Sequence, residues 1–285
     1  MDIHPKYGSV LITGTSSGIG KVTALYLQNL GFRVFATVRN EEDALALQAE
    51  GSAQLIPIIM DVTDPASIDH AKDKISEFLG HEGLAGLVNN AGVGFISPLE
   101  CVPLDEFRWL FEVNVFGLLA VTQAFLPLIR IKKGRIVNLS STASIFVSPF
   151  HGPYSASKLG VNGLSNALRL ELKPEGIQVA LIVCGSIKTP MWEKGKELSS
   201  QVSQSFPAEY TELYGEHYHR VHDSFFNIGQ NGIQPEVVSR NIYHALTARR
   251  VKNTYFVGPD AIFYNIADKF LFGRLRDWVI SHSIG

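Results

Sequence analysis

Charge is scarce in this 285-residue chain: Asp, Glu, Lys and Arg make up 18% of it, 25 basic residues against 27 acidic ones, for a formal net charge of −2. No basic block extends beyond pairs such as Lys132-Lys133 and Arg249-Arg250, so the stripe of a nucleic-acid-binding surface is missing. Cysteine is scarcer still. Cys101 and Cys184 stand far apart with no CxxC, which argues against both a disulfide framework and a Cys-based zinc module. Long hydrophobic runs are also lacking. The most extended apolar stretch, Phe116 to Ile129, is interrupted by Thr122, Gln123 and Pro127 and is short for a bilayer span. Met1 to Gly8 is polar and does not read as a signal peptide. What is abundant is apolar sequence, 46% of the chain, which excludes a largely disordered protein. The expectation is a soluble protein of a reduced compartment, the cytoplasm, with one sizeable core.

Short apolar runs alternate with longer helical patterns. Strands are expected at Ser9–Thr13, Arg33–Thr37, Leu55–Ile59, Leu84–Asn89, Gly134–Leu139, Gln178–Val183 and Asn253–Val257. Their near-continuous apolar character suits parallel strands buried on both faces. Helices are expected at Ile19–Leu30 (closed by Gly31), Pro65–Leu79, Asp105–Ile129, Tyr154–Leu172 and Pro235–Thr247. The alternation predicts an α/β fold: a single domain over 1–285 with one doubly wound, Rossmann-type parallel sheet and helices on both faces. Met191 to Gly232 breaks the rhythm with Ser, Gln, Glu, His and Tyr. It is too long for a bare loop, so a partly helical substrate lid is expected over 191–232. The tail, 261–285, mixes Phe263, Tyr264, Ile266, Phe270, Leu271, Phe272, Leu275, Trp278 and Ile280 with charges. It reads as a packed terminal helix or subunit contact, with a membrane-surface anchor as the weaker alternative.

Thr13-Gly14-Thr15-Ser16-Ser17-Gly18-Ile19-Gly20 follows the first strand and opens the first helix. Gly14 permits a tight turn, Gly18 lets backbone approach a pyrophosphate, and Gly20 allows close helix–strand packing. The helix N-terminus adds free N–H groups and partial positive charge. The GxxxGxG spacing departs from GxGxxG, and alone it also fits an ordinary βα turn. At the end of the second strand, where an acidic residue would accept from an adenosine 2′-hydroxyl, stand Val38 and Arg39. A guanidinium suits a 2′-phosphate, so NADP(H) is favoured over NAD(H), unless Arg39 is simply a surface residue.

Tyr154 and Lys158 stand at i and i+4 on one face of a helix. An ammonium beside a phenol stabilises the phenolate and lowers its pKa, which suits proton exchange with an alcohol or carbonyl. Ser141, at the end of the fifth strand, faces the ligand crevice in this fold and can hydrogen-bond a substrate oxygen. By itself it reads more often as a turn residue.

Together these elements resemble the short-chain dehydrogenase/reductase family of the Ser–Tyr–Lys type. The matching pieces are the Thr13–Gly20 turn, Asp61-Val62, Asn89-Asn90-Ala91-Gly92, Asn114, Ser141 and Tyr154-Ser155-Ala156-Ser157-Lys158. The match is firm from about residue 8 to 190. Phe35-Ala36-Thr37-Val38-Arg39, Phe125–Arg130 and His244–Ala248 are similar to the retinol and 17β-hydroxysteroid dehydrogenase branch. The resemblance implies Tyr154 as general acid for reduction and base for oxidation, with Lys158 on the nicotinamide ribose. It further implies Ser141 polarising the carbonyl and Asn114 supporting a relay water. For the cofactor it implies Gly14, Ser16, Ser17, Gly18, Ile19 and Gly20 at the phosphates, Asp61 and Val62 at the adenine, and Asn90 near its ribose. Ile187 and Thr189 would lie near the nicotinamide carboxamide. Homo-dimers or homo-tetramers are implied as well. One departure stands out: where the family has Pro-Gly after the sixth strand, this chain has Cys184-Gly185, and the turn loses the fixed φ of proline.

His217, His219 and His222 lack the pattern of a structural metal site, and no metal is expected. Phe146, Val147, Pro149, Phe150, Met191 and Trp192 hint at an apolar substrate. The resulting expectation is hydride transfer between NADP(H) and a lipophilic ketone, aldehyde or secondary alcohol, steroid- or retinoid-like. The alternatives are a nucleotide-sugar epimerase or dehydratase, a non-catalytic NADP(H) sensor, and a membrane-surface scaffold.

Overall fold

A computed structural model describes residues 7–271, 273–275 and 278. Its centre is a seven-stranded parallel sheet in the order β3-β2-β1-β4-β5-β6-β7. The strands are β1 (Ser9–Ile12), β2 (Arg33–Val38), β3 (Leu55–Ile59), β4 (Leu84–Asn89), β5 (Arg135–Ser141), β6 (Gln178–Cys184) and β7 (Thr254–Val257). All seven expected strands form, two with the expected bounds and the others with one or both ends shifted by one residue or two. The chain runs outward from β1 to β3, then returns to pair β4 against the other edge of β1. This reversal opens a crevice at the carboxyl ends of β1 and β4, where ligands bind in such sheets.

Alternation along the strands sends side chains to two cores. Val10, Ile12, Val34, Val137 and Ile182 face α1 (Gly18–Asn29), α2 (Glu41–Glu50) and α9 (Pro235–Thr247). Leu11, Phe35, Leu87 and Ile136 face α3 (Pro65–Leu79) and α5 (Gly117–Lys132). The α1 helix ends as expected, with Gly31 at φ 98°. Helix α2 carries no apolar stripe, since only Ala44 and Leu47 of its residues are buried, and periodicity gave no reason to expect it.

The expected helix Asp105–Ile129 is longer and continuous. It comprises α4 (Leu104–Phe111), a π-helical turn (Glu112–Phe116) and α5, which together make 29 residues. By length and apolarity this rod is sufficient to cross a membrane, contrary to the reading of the 116–129 stretch alone. Here it packs in the protein, with 39% of its most apolar window buried. It is followed after β5 by α6 (Gly152–Glu171), whose Val161 packs with Leu118, Leu181 and Val183.

The expected lid is a helix pair, α7 (Met191–Gln204) and α8 (Ala208–Gln230). It returns to the frame where Ile187 bridges Ile233 in parallel fashion. After β7, α10 (Pro259–Phe270) stacks Tyr264 on Phe146 with ring centroids 4.6 Å apart, and leaves Ile262, Phe263, Ile266 and Phe270 exposed. Of the tail residues noted above, Phe272 and Ile280 lie outside the described residues, as do Met1 to Lys6.

Candidate active site

The glycine-rich turn is built from β1 outward. Gly14 and Gly18 adopt positive φ, 68° and 59°, which side-chain-bearing residues rarely take. A Cβ at Gly14 would come within 2.9 Å of the Ala91 backbone, and one at Gly20 would strike the Gly14 carbonyl and the Asn90 amide. The turn is stitched to its neighbours by side chains. Thr13 Oγ1 accepts from the backbone N–H of Asn90 and Ala91 at 3.0 and 2.9 Å. Asn90 Nδ2 donates to the carbonyls of Thr13 and Gly14 at 2.8 and 2.9 Å. From β2, Thr37 Oγ1 accepts from Gly14 N, and its carbonyl takes the Thr15 hydroxyl. Thr13 and Thr37 were not singled out by sequence reasoning. Their only signal is a hydroxyl at the end of each of two adjacent strands.

Ser17 precedes α1 without capping it through its side chain, so the first N–H groups of that helix stay available. Ser16 and Ile19 are half-buried beside them. Arg39, the residue after β2, is exposed and has no ion pair or hydrogen bond among the described residues. Asp61 lies past the end of β3, with one carboxylate oxygen accepting from the backbone N–H and hydroxyl of Thr63. Val62 beside it is buried.

Ser141 closes β5 in register with Cys184 on β6. Its Oγ accepts from Ala143 N, and it lies near enough to Tyr154 to pull the phenol pKa down. Behind it, Ser140 donates to Asn162 Oδ1 at 2.7 Å, and Asn162 donates to Ser144 Oγ at 2.9 Å. Tyr154 and Lys158 lie one turn apart on α6, with Nζ 5.7 Å from the phenol centroid. Lys158 is buried and donates to the Leu139 carbonyl at 3.2 Å. Asn114 sits in the π-helical turn, a distortion that favours functional positions. Its Oδ1 accepts from Val93 N at 2.8 Å, while Nδ2 donates to Val93 O and Ser157 Oγ. Ser157 in turn donates to the Tyr154 carbonyl. Both donors of the amide are thus committed to holding Tyr154 and the β4 extension in place.

Electrostatics departs from the expectation that Lys158 lowers the Tyr154 pKa. Burial raises the phenol above its ordinary value, and the Ser141 hydroxyl nearby only partly offsets this. The same burial pulls Lys158 down from 10.5 to about 8 and pushes the Cys184 thiol up to about 12. Desolvation is the largest cause for all three groups, which share one enclosed place.

The lid closes over this corner. A Cβ at Gly94 would lie 3.0 Å from the Tyr154 ring and 3.3 Å from Met191 Cε, so Gly94 and Met191 flank the phenol. Phe150, four residues before Tyr154, is held at φ 64°, a strained conformation for an aromatic residue. Its ring packs edge-on against Tyr214, His217 and Tyr218 of α8. Trp192 packs on Phe225, and its indole N–H donates to the Ile187 carbonyl at 2.6 Å. Ile187 is buried, and Thr189 is half-buried against Gly18. His217 and His219 are exposed while His222 is buried. No group of three or more His, Cys, Asp or Glu side chains among the described residues is placed to hold a metal ion.

The switch-point crevice, the glycine turn and the Ser–Tyr–Lys cluster define a class. The chain matches the family model for short chain dehydrogenases over residues 8–199, and it belongs to that family. Within the family it stands with the retinol and 17β-hydroxysteroid dehydrogenase branch. It is 34% identical to 17-beta-hydroxysteroid dehydrogenase type 6 of Bos taurus, covering 96% of this chain and 88% of that one. It is 33% identical to retinol dehydrogenase 5 of Mus musculus, covering 95% and 87%. An NADPH-dependent 3-dehydrocapnine reductase of Ornithobacterium rhinotracheale is 35% identical over 94% of both chains. The solved structure of a short-chain dehydrogenase from Streptomyces avermitilis superposes with a TM-score of 0.77 at 27% identity, over 93% of both chains.

Proposed function

We propose that the protein is an NADPH-dependent carbonyl reductase acting on a lipophilic ketone, or on the matching secondary alcohol in reverse. The observation that carries this reading is the convergence of Ser141 and Tyr154, close enough for one to shift the pKa of the other, with the buried Lys158 one helical turn away. The residues present fit a dinucleotide. Gly14 and Gly18 leave room along the turn, and the uncapped start of α1 offers N–H groups to phosphate. Arg39, exposed and unpaired, suits a 2′-phosphate. A bound nicotinamide would supply the hydride.

The chain's own groups handle the oxygen and its proton. Ser141 accepts from Ala143 N, which leaves its hydroxyl hydrogen free to point at a substrate oxygen. Tyr154, whose pKa burial raises, stays protonated at neutral pH and donates to the developing alkoxide. Lys158 holds positive charge behind the phenol, and Asn114 fixes the backbone of both Tyr154 and Val93 through Ser157 and its own amide. Met191 meets the same Gly94 that the phenol packs on, and the lid behind it, with Phe150, Trp192 and Phe225, is apolar and suits a lipophilic substrate. Related enzymes named for a steroid, a retinoid and 3-dehydrocapnine agree with that class. A homo-oligomer of the cytoplasm completes the reading, with Cys101 and Cys184 both free thiols.

The test is titration of the purified protein with NADPH and NADH, followed by nicotinamide fluorescence, and then a panel of lipophilic ketones and aldehydes. Tighter NADPH binding with consumption by one class is expected. Binding without turnover across the panel would favour a sensor, and no binding of either nucleotide would overturn the reading.

A further inference from the structure

The turn after β6 spans the whole site. It starts at Cys184, in register with Ser141, and ends at Thr189, whose Cβ lies 3.2 Å from where a Gly18 Cβ would be. Such a span needs a fixed backbone, and without proline at position 184 the restraint must come from elsewhere. Its far half is held by the bridge to Ile233 and by the Trp192 indole N–H on the Ile187 carbonyl, and its start is held from the far end of the chain. Ser186 N donates to Asp260 Oδ2 at 2.6 Å, and Ala261 N donates to Asp260 Oδ1 at 2.9 Å, so both carboxylate oxygens hold backbone. Two glycines make the seat: a Cβ at Gly185 would collide with the Asp260 carboxylate, and one at Gly258, where φ is 115°, would lie 2.6 Å from Oδ1. Gly185 N also donates to the Val257 carbonyl at 2.9 Å, which anchors the turn's first residue to β7.

We propose that Asp260 is a positioning residue for the nicotinamide side of the site, holding the Gly185–Thr189 turn in place of the missing proline. A charge-assisted bond from carboxylate to N–H is short and directional, and the N-terminus of α10 favours the negative charge there. Losing it frees the Ser186 N–H and loosens the start of the turn that leads to Ile187 and Thr189. This inference rests on the nicotinamide reading above, and its test separates the two.

The variants are Asp260→Ala and Asp260→Asn, with Asp260→Ser as a second short side chain that cannot reach Ser186 should the alanine protein not fold. Amide exchange of the peptide spanning residues 184–190, measured by mass spectrometry without nucleotide, is expected to quicken in the alanine or serine variant. NADPH affinity should fall about tenfold and kcat by about 10–100-fold, as for a slightly misplaced reactant. Asparagine, which keeps an acceptor, should stay within about threefold of the parent on both measures. A folded alanine or serine variant with unchanged exchange, or with parental affinity and kcat, would overturn the proposal. Failure of the parent protein to bind NADPH would instead strike the functional reading, with the exchange result still judging the turn.

Discussion

The sheet frame and the lid hold their parts by different physics. In the frame, polar side chains end on one another or on backbone. Asn89 donates to both Thr122 and Asn138 across buried space, Asn138 donates to Ser165, and Asn114 joins Val93 to Ser157. In the lid the contacts are mostly aromatic: Trp192 on Phe225 at 4.8 Å, Phe225 on Phe226 at 5.3 Å, His222 on Phe226 at 4.8 Å. A few hydrogen bonds fasten it, from Ile96 N to Ser199 Oγ and from the Tyr218 hydroxyl to the Ile96 carbonyl. Neither region is fully satisfied: His222 Nε2 in the lid and His151 Nε2 before α6 are buried without a partner, as are Ser9 Oγ, Asn89 Oδ1 and Ser155 Oγ in the frame. Directional bonds hold reacting atoms within narrow limits, whereas apolar packing is non-directional and adapts to shape. The frame is therefore the place for the chemistry, and the lid the place where substrate choice can vary without disturbing it.

The sharpest break of that contrast is Tyr154→Phe. Removing the hydroxyl should lower kcat by at least about 10³-fold while NADPH affinity stays within about threefold, because the proton donor is lost and the nucleotide seat is not. Stopped assays and a fluorescence titration check both halves. No single lid substitution should reach that size, and one that did, with the fold intact, would erase the distinction.

Lys158→Met should separate stability from function. Burial lowers the Lys158 pKa to about 8, so between about pH 8 and 10.5 the unfolded chain holds more protons, and this group's contribution to stability rises with pH over that window. Below about pH 8 the buried ammonium is a full cost. The methionine variant should therefore gain on the order of 1–2 kcal/mol at pH 7, a gain that fades toward pH 10.5. Turnover should fall by about 10²-fold or more. Denaturant melts at pH 7 and pH 10 read the first effect, and a variant less stable at both values would contradict the desolvation account.

Arg39→Ala is expected to be smaller and selective. NADPH affinity should drop about 10–100-fold and NADH affinity by less than threefold, as for one charge-assisted phosphate contact. Equal losses for the two nucleotides would remove Arg39 from the phosphate.

Much of this frame was legible because buried parallel strands have a near-continuous apolar signature, and because Gly14, Gly18 and Gly31 stand where positive φ is needed. Tyr154 and Lys158 were legible through helical spacing. The rest depended on what sequence spacing does not carry. Helix α2 lacks an apolar stripe, so it was missed. The Asn114 amide is spent on Val93 and Ser157, partners that only folding brings near. The direction of the Tyr154 pKa shift follows from burial, which a neighbouring lysine in sequence does not reveal. Asp260 meets Ser186 from the first turn of α10, and no local pattern links them.

The smallest effect belongs to the lid. Tyr218 sits buried on the inner face of α8, its hydroxyl donating toward the carbonyls of Ile96 and Ser199 at 3.1 and 3.3 Å. One hydroxyl hydrogen serves both, so the bond is shared, and its removal frees two carbonyls that each keep other chances of satisfaction. Tyr218→Phe preserves the ring contacts with Phe150 and Phe206. The expected cost is about 1 kcal/mol of stability, with kcat nearly unchanged and KM for a lipophilic ketone raised about two- to fivefold as the lid loosens. Steady-state kinetics across the ketone panel measure the split. If kcat fell in step with kcat/KM and KM held still, the lid would be shaping the transition state rather than admitting the substrate, and the division between frame and lid would have to be redrawn around α8.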